Sequence, residues 1–213
     1  VKHSLFDIIF FYRMSMENLH SHIERILWSS EEISDRVREL ASDITKDLSS
    51  SANSSSPAIL VGVATGAFVF FADLIRRIPL PISVDFLRAE SYGSGTRSSG
   101  SPLISLQLKL EITNRHVVVV EDIVDSGRTL SCIVEHLKRK GASSVSVCSF
   151  LDKSARREVP LALIGEGKYY RGFECPDVFV VGYGMDFAEK YRNLPFVGVL
   201  KPQFYASSND SPS

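Results

Sequence analysis

The chain has 213 residues, 44% of them hydrophobic, and a formal net charge of −1. This length and composition predict one sizeable α/β domain, and the near-neutral charge gives no electrostatic reason to expect nucleic acid or an anionic membrane as a partner. The three cysteines, Cys132, Cys148 and Cys175, are scattered and lack a C-x-x-C pair, so we expect reduced thiols in a cytoplasmic protein and no zinc site.

Residues 1–28 carry few signals of regular structure, and we predict that they form an N-terminal extension that is partly disordered. The folded domain is predicted to cover residues 29–205, followed by a disordered tail over residues 206–213. Within the domain, Ser29 to Glu32 has the pattern of a capping box, and apolar residues at helical spacing continue it to Leu48. A helix is therefore predicted there, with a Ser-rich linker after it.

The next part of the chain contains strand patterns. Residues 58–63 are an apolar run that predicts a buried strand, followed by the loop Ala64-Thr65-Gly66 and a helix through Arg77. Residues 84–88 and 104–110 alternate between apolar and polar side chains, which is typical of further strands.

A Gly- and Ser-rich segment, residues 91–101, joins these last two strands. Its composition favours a disordered hairpin tip. Its functional interpretation is a mobile flap that folds over a bound ligand and excludes water. In that case Ser91, Tyr92 and Arg97 are the residues that the flap would bring to the ligand.

The most informative stretch begins with four valines, Val117–Val120, which predict a strand buried on both faces. Glu121, Asp122 and Asp125 follow, and Ser126–Thr129 forms a small-residue turn before an amphipathic helix. Backbone N–H groups and the helix dipole make such a turn a phosphate site. The acids would repel a bare anion, so we expect a sugar or a divalent cation between them and the phosphate. The alternative is an ordinary strand–helix junction with solvated acids.

Two more strands are predicted, each followed by a charged residue. Residues 145–151 precede Lys153, and residues 178–183 precede Asp186. Strands that alternate with helices indicate a doubly wound, mainly parallel sheet, whose ligands bind beyond the carboxyl ends of the strands. We therefore expect one edge of the sheet to carry the site, with residues from four strands: Gly66, Glu121, Asp122, Asp125, Lys153 and Asp186.

The chain resembles the hypoxanthine-guanine phosphoribosyltransferases, which are type I phosphoribosyltransferases. The resemblance runs from about Ile33 to Pro202 and is carried by the phosphate motif and by four further segments, Val61–Val63, Ser91–Thr96, Asp152-Lys153 and Phe179–Arg192. It implies the type I fold, a doubly wound and mainly parallel sheet with a flexible flap and a small hood. One departure is Thr65, because the family commonly has a lysine in this loop.

The resemblance also implies roles for individual residues. Asp125 would be the catalytic proton acceptor near N7 of the purine, Lys153 would donate to the 6-oxo group, Phe179 would stack on the ring, and the Val180 backbone would read the base edge. Phosphoribosyl pyrophosphate would be bound by Glu121, Asp122, Asp125, Ser126, Gly127, Arg128, Thr129, Thr65, Gly66 and Arg192. Mg²⁺ would be held by Glu121, Asp122 and Asp186. The residues alone also have simpler interpretations. Lys153 is equally well interpreted as a surface cation, and Phe179 as a core side chain. Asp186 is then a helix N-cap for residues 187–191, and Arg192 is a solvated side chain.

The implied reaction is transfer of the 5-phosphoribosyl group to hypoxanthine or guanine, giving IMP or GMP and pyrophosphate. A lysine ammonium only donates hydrogen bonds, so Lys153 would favour a 6-oxo purine over adenine. The alternatives are a xanthine-preferring transferase and a regulatory protein that senses phosphoribosyl pyrophosphate. The resemblance also implies a homodimer or homotetramer.

Overall fold

A computed structural model of the chain describes residues 19–50, 57–90, 103–105 and 108–206. The predicted flap residues Ser91, Tyr92 and Arg97 lie outside these ranges, as do most of the predicted N-terminal extension and the tail beyond residue 206. The helices are α1 Ser30–Ser50, α2 Phe68–Ile75 and α3 Arg128–Arg139. The strands are β1 Ile23–Trp28, β2 Ala58–Ala64, β3 Ile82–Glu90, β4 Leu103–Ser105, β5 His116–Val124, β6 Ser144–Asp152, β7 Tyr169–Glu174, β8 Val180–Val181 and β9 Val197–Leu200.

The chain divides into two compact units. The larger unit is Glu31–Asp177, and the smaller unit combines Val1–Ser30 with Val178–Ser213. The boundaries predicted from sequence, at residues 28 and 205, stay predictions. Ile23–Trp28 is nevertheless a regular strand inside the segment predicted as an extension.

The larger unit is built on a six-stranded sheet with the order β4-β3-β2-β5-β6-β7. Five neighbouring strands, from β3 to β7 in that order, are parallel, and β4 pairs with β3 antiparallel. This confirms the predicted α/β class with a mainly parallel sheet. The predicted strand over residues 104–110 is much shorter, because regular pairing is described for Leu103–Ser105 and residues 108–110 are outside any strand.

Both faces of this sheet are covered by apolar side chains. On one face, α3 packs its buried stripe of Leu130, Ile133 and Leu137 against alternate residues of β2, β5 and β6. On the other face, the Phe70 ring of α2 lies 5.2 Å from the Phe150 ring of β6. Val117–Val120 are fully buried because both faces of β5 are covered, which explains their uninterrupted apolar run.

Helix α1 is fixed against β7 by polar contacts as well as by its buried stripe. The two Asp47 carboxylate oxygens accept from Lys168 Nζ at 2.6 Å and Tyr170 Oη at 2.8 Å. The Arg36 guanidinium donates to the carbonyl of Gly172 at 2.9 Å. None of the described helices is both long and apolar enough to cross a membrane.

The chain direction reverses between the central strands β2 and β5. From β2 it proceeds outward to β3, and from β5 it proceeds outward in the other direction to β6 and β7. The loops that follow two such neighbouring strands lead away in opposite directions and leave a crevice between them. Ligands of open α/β sheets bind in that crevice. The loop after β2 begins with Thr65, and the acidic motif lies in the second half of β5 and at the start of the loop after it.

The smaller unit contains an antiparallel sheet with the order β1-β9-β8. Its core comprises Val181, Tyr191, Leu194, Phe196 and Leu200. The prediction that Asp186 follows a strand of the parallel sheet is therefore wrong, because β8 is a two-residue strand of this second sheet. An apolar run followed by an acid has the same pattern in either kind of sheet.

Candidate active site

The predicted phosphate turn joins β5 directly to α3. Gly127 has φ +84° at the helix N-terminus, a left-handed conformation that glycine adopts without steric cost. Its carbonyl accepts from Ser131 N at 2.9 Å, which starts the helix. The first turn of α3 therefore begins beside Ser126 and Thr129 with amides that have no acceptor within the helix, as a phosphate site requires. One of them, Arg128 N, donates to Ser126 Oγ at 3.4 Å.

A second segment, residues 156–159, supports this turn from behind. The carbonyl of Ser126 accepts from the amides of Glu158 at 3.0 Å and Val159 at 3.1 Å. A Cβ on Gly127 would lie 2.7 Å from the carbonyl oxygen of Val159. The turn therefore needs glycine both for its backbone conformation and for the close approach of this supporting segment.

Arg128 begins the helix with its side chain turned toward the supporting segment, where it pairs with the Glu158 carboxylate at 2.6 Å. Both side chains are about half exposed, so solvent screens the pair and its contribution to stability is small. The predicted contribution of Arg128 to phosphate binding would come from its backbone amide at the helix start.

The two acids Glu121 and Asp122 lie in the second half of β5, in different environments. Glu121 is 8% exposed, and Asp122 is partly exposed. Burial, together with the charge of the adjacent Asp122, raises the pKa of Glu121 well above its ordinary range. A buried acid that resists ionisation beside a second carboxylate forms a site that favours a cation or hydroxyl donors.

The loop after β2 lies directly against Asp122. A Cβ on Gly66 would be 1.9 Å from Asp122 Oδ2, so only glycine leaves room for this carboxylate. The loop begins with a cis peptide between Ala64 and Thr65, and the carbonyl of Thr65 accepts from Phe68 N at 3.1 Å. The structure thus brings Thr65 and Gly66 together with the acids, as predicted for neighbouring strand ends.

Asp125 follows the acids and faces a cation that the sequence did not single out. Its Oδ1 lies 3.1 Å from Arg156 Nε, and this oxygen is covered from solvent and has no hydrogen bond among the described residues. The carboxylate as a whole is nevertheless 45% exposed. One oxygen is therefore enclosed beside Arg156, and the other remains open to a ligand.

Lys153 lies one residue beyond β6, and its amide donates to the Val124 carbonyl at 2.9 Å. The residue is only 7% exposed, so the alternative of a solvated surface cation is wrong. The buried Cys175 thiol lies within electrostatic range of both Lys153 and Asp125; burial raises its pKa to about 11. Lys153 and Asp125 therefore belong to one polar neighbourhood above β5 and β6.

The remaining predicted residues lie in the smaller unit, immediately before β8, within it and after it. The Phe179 ring stacks on Tyr205 with centroids 4.6 Å apart and meets Phe187 edge-on at 5.5 Å. Val180 is buried and pairs with Val199 of β9. Phe179 thus has an aromatic partner of its own, and its predicted stacking on a purine stays a prediction.

Asp186 and Arg192 are bound to each other. Arg192 Nη2 lies 3.0 Å from Asp186 Oδ1, and Arg192 Nη1 donates to the Gly184 carbonyl at 2.9 Å. Asp186 Oδ2 also accepts from Glu189 N at 2.9 Å. This contact resembles a helix cap, but residues 187–191 form turns in which Ala188, Glu189 and Tyr191 have positive φ, so no helix follows.

Residues 28–188 match the family model described as phosphoribosyl transferase domain. The hypoxanthine-guanine phosphoribosyltransferase of Bacillus subtilis (strain 168) is 41% identical over 185 residues, which are 87% of this chain and 97% of the Bacillus protein. The chain belongs to the hypoxanthine-guanine phosphoribosyltransferase family. This confirms the family expected from the motifs.

Members of this family with solved structures share the fold. A crystal structure of hypoxanthine phosphoribosyltransferase from Staphylococcus aureus gives a TM-score of 0.78 at 37% identity and covers 89% of this chain and 97% of that one. The bifunctional protein TilS/HprT of Listeria monocytogenes serotype 4b (strain F2365) is 42% identical over 190 residues. Those residues are 89% of this chain but span only 28% of the Listeria protein's length.

The carboxylate oxygens of Glu121 and Asp122 are suitable ligands for a magnesium ion. Mg²⁺ is commonly bound through one or two carboxylates, with substrate oxygens and water as the other ligands. Glu121 and Asp122 supply two adjacent carboxylates, and the ionisation of buried Glu121 would be favoured by a cation. Among the described residues no group of three or more His, Cys, Asp or Glu is placed to hold a metal ion.

Four residues beside the site were missed in the sequence, namely Asp152, Arg156, Arg157 and Glu158. Asp152 is buried and accepts from Tyr169 Oη at 2.9 Å and from the Arg157 guanidinium. The available signal was the cluster of charges, Arg156-Arg157-Glu158, which begins three residues after Lys153. A charge cluster is usually solvated, so the pattern alone did not indicate that these side chains support the phosphate turn.

Proposed function

We propose that this chain transfers the 5-phosphoribosyl group from phosphoribosyl pyrophosphate to hypoxanthine or guanine, giving IMP or GMP and pyrophosphate. The observation that carries this proposal is the phosphate turn Asp125–Thr129, which follows the strand that contains Glu121 and Asp122, at the point where the sheet reverses direction. The names of the relatives bear out the prediction of a purine-salvage enzyme.

In this proposal the phosphate turn holds the 5′-phosphate through the backbone amides of Ser126–Thr129 and the hydroxyls of Ser126 and Thr129. Glu121 and Asp122 face the ribose hydroxyls, directly or through Mg²⁺. The loop of Thr65 and Gly66 offers backbone N–H groups to pyrophosphate. A loop without the usual lysine fits this role, since amides at close approach bind phosphate oxygens without a side-chain cation.

The sugar loses pyrophosphate through a state with oxocarbenium character, so stabilising the separating charges lowers the barrier. Bound Mg²⁺ would neutralise and orient the pyrophosphate leaving group. Arg192 would contact pyrophosphate, and Asp186 would reach the cation through water. Their mutual ion pair at 3.0 Å supports this proposal, because it keeps both charges together in one turn.

The base would be recognised by Lys153, Phe179 and Val180. Lys153 is only 7% exposed and lies in the same polar neighbourhood as Asp125, which supports a role inside the site. Its N–H donors match a 6-oxo group and oppose a 6-amino group. Asp125 would accept the proton that the purine loses as its N9 bond forms, and this kind of step typically contributes about 10²–10⁴-fold.

We further propose a cytoplasmic enzyme that assembles as a homodimer or homotetramer and has neither nucleic acid nor a membrane as its partner. Two of the three free cysteines, Cys148 and Cys175, are buried, which fits a reducing compartment. The near-neutral charge supports the absence of a polyanionic partner.

The deciding experiment is an absorbance assay with phosphoribosyl pyrophosphate, Mg²⁺ and each of hypoxanthine, guanine, xanthine and adenine. Turnover of hypoxanthine and guanine, with little turnover of adenine, is expected. Higher kcat/KM for xanthine would select the xanthine-preferring alternative, and no turnover of any purine would overturn the enzyme proposal. Asp125→Asn should lower kcat by at least about 100-fold with little change in KM, since proton acceptance is lost in the transition state.

A further inference from the structure

We infer that Arg156 is a positioning residue for Asp125, holding one carboxylate oxygen so that the other is presented to the purine. The inference rests on the proposed function, because it assigns Asp125 the role of proton acceptor. Arg156 ends the short 3-10 turn Ser154–Arg156 that directly follows Lys153. The same turn therefore connects the proposed base-recognition residue to the partner of the proposed proton acceptor.

The geometry of Arg156 is that of a side chain held at both ends of its guanidinium. Its Nε lies 3.1 Å from Asp125 Oδ1, and its Nη1 donates to Asp177 Oδ1 at 3.5 Å. The turn itself is closed by Arg156 N donating to the Lys153 carbonyl at 2.9 Å. A guanidinium with two carboxylate partners has few orientations open to it, and it can transmit that restriction to Asp125.

The two oxygens of Asp125 are in different environments. Oδ1 is covered from solvent beside Arg156, whereas the side chain as a whole is 45% exposed. A carboxylate that turns freely would spend part of its time with neither oxygen directed at the substrate. Fixing Oδ1 leaves Oδ2 as the acceptor, and preorganisation of this kind contributes to catalysis through orientation.

Orientation, more than charge, is the effect that the structure supports. Arg156 and Asp125 are 44% and 45% exposed, so water screens much of their Coulomb attraction. A positive charge beside a base would also make it a weaker proton acceptor. The benefit that remains is a fixed carboxylate, and it should appear in the rate of the chemical step more than in substrate affinity.

The test compares Arg156→Gln and Arg156→Lys in single-turnover formation of IMP, with enzyme in excess, which separates chemistry from product release. Arg156→Gln should lower the single-turnover rate about 10-fold, with KM for hypoxanthine and phosphoribosyl pyrophosphate changed less than about 3-fold. Arg156→Lys should recover most of the rate, since an ammonium can still hold Oδ1. Arg171→Gln is the matched control, because Arg171 is an exposed cation of the same unit paired only loosely with Glu174 at 3.7 Å.

A double mutant makes the assignment specific. In an Asp125→Asn background, Arg156→Gln should change the rate less than about 2-fold, because its effect passes through Asp125. A rise in KM for phosphoribosyl pyrophosphate with an unchanged single-turnover rate would overturn the inference in favour of direct substrate binding. Equal rates for Arg156→Gln and Arg171→Gln would overturn it as well.

The failure of this inference is distinguishable from failure of the proposed function. If the wild-type chain forms no IMP or GMP, the proposed function itself fails. If the wild-type chain is active and Arg156→Gln matches the control, only the positioning role fails. Should Arg156→Gln not fold, Asp177→Asn removes the other contact of Arg156, and a single-turnover rate of Asp177→Asn equal to that of wild type would contradict the inference.

Discussion

Gly66→Ala tests whether the loop after β2 and the acidic strand end act as one site. The added Cβ would lie 1.9 Å from Asp122 Oδ2 and 2.6 Å from Asp122 Cγ, so one of the two must move. Gly66 is not among the glycines with positive φ, and the obstructing atoms are the end of a side chain. We therefore expect Asp122 to rotate away while the free energy of unfolding changes by less than about 1 kcal/mol.

The expected loss is functional. A hydrogen bond from a hydroxyl to a carboxylate is worth about 1.5–3 kcal/mol, and about 1.4 kcal/mol corresponds to a tenfold change in rate. Displacing Asp122 should therefore lower kcat/KM for phosphoribosyl pyrophosphate by about 10- to 150-fold. The assay is steady-state IMP formation with varied phosphoribosyl pyrophosphate, with urea unfolding of the same preparations as the stability measurement.

A double-mutant cycle with Asp122→Ala isolates the cause. Without the carboxylate there is nothing for the new methyl group to displace, so Gly66→Ala in that background should lower kcat/KM by less than about 2-fold. If the fold-changes in kcat/KM of the two substitutions instead multiply in the double mutant, Gly66→Ala acts through the backbone of its own loop. The contact with Asp122 is then not what requires glycine.

Three further changes probe base recognition and buried charge. Lys153→Gln should lower kcat/KM for guanine about 10- to 100-fold and raise the relative use of adenine, since an amide both donates and accepts; an unchanged guanine-to-adenine ratio would contradict the role of Lys153. Burial lowers the pKa of His116, whose ring is hydrogen-bonded to Ser144 and Ser146, so the unfolded chain takes up the proton first as pH falls below about 6.5. The free energy of unfolding of the wild type, measured with urea, should therefore fall below that pH. The free energy of unfolding of His116→Gln should depend less on pH. Glu121→Gln should stabilise the ligand-free chain at pH 7 and abolish most turnover; lower stability would show that the buried carboxylate is well compensated.

The parts of the fold predicted from sequence are those whose pattern is set locally. Val117–Val120 indicate a strand covered on both faces, and the turn chemistry of Ser126–Thr129 indicates the helix start, without knowledge of any partner. Strand β7 was missed because it lies at the edge of its sheet and carries Arg171, Gly172 and Glu174, which interrupt an apolar pattern. Edge strands are under weaker pressure to be apolar than central ones.

The errors arise where the answer depends on distant pairing. Asp186 follows an apolar run, but β8 pairs with β9, which in turn pairs with β1 from the other end of the chain. No local pattern encodes that arrangement. In the same way, Arg156 is one cation among several in the sequence, and its position beside Asp125 follows from a 3-10 turn and from the amides of Glu158 and Val159 on Ser126.

The buried charges of the larger unit argue for function independently of any resemblance. Glu121 is buried beside another carboxylate, and its raised pKa means that the folded state resists a charge that the unfolded chain accepts above about pH 4.5. By linkage this residue makes the ligand-free fold less stable as pH rises through that range. A chain selected for stability alone would continue β5 with apolar or amide side chains. Because the destabilising acid lies in β5 four residues before the phosphate turn, its presence is explained by a ligand that brings cationic charge or hydroxyl donors to that position.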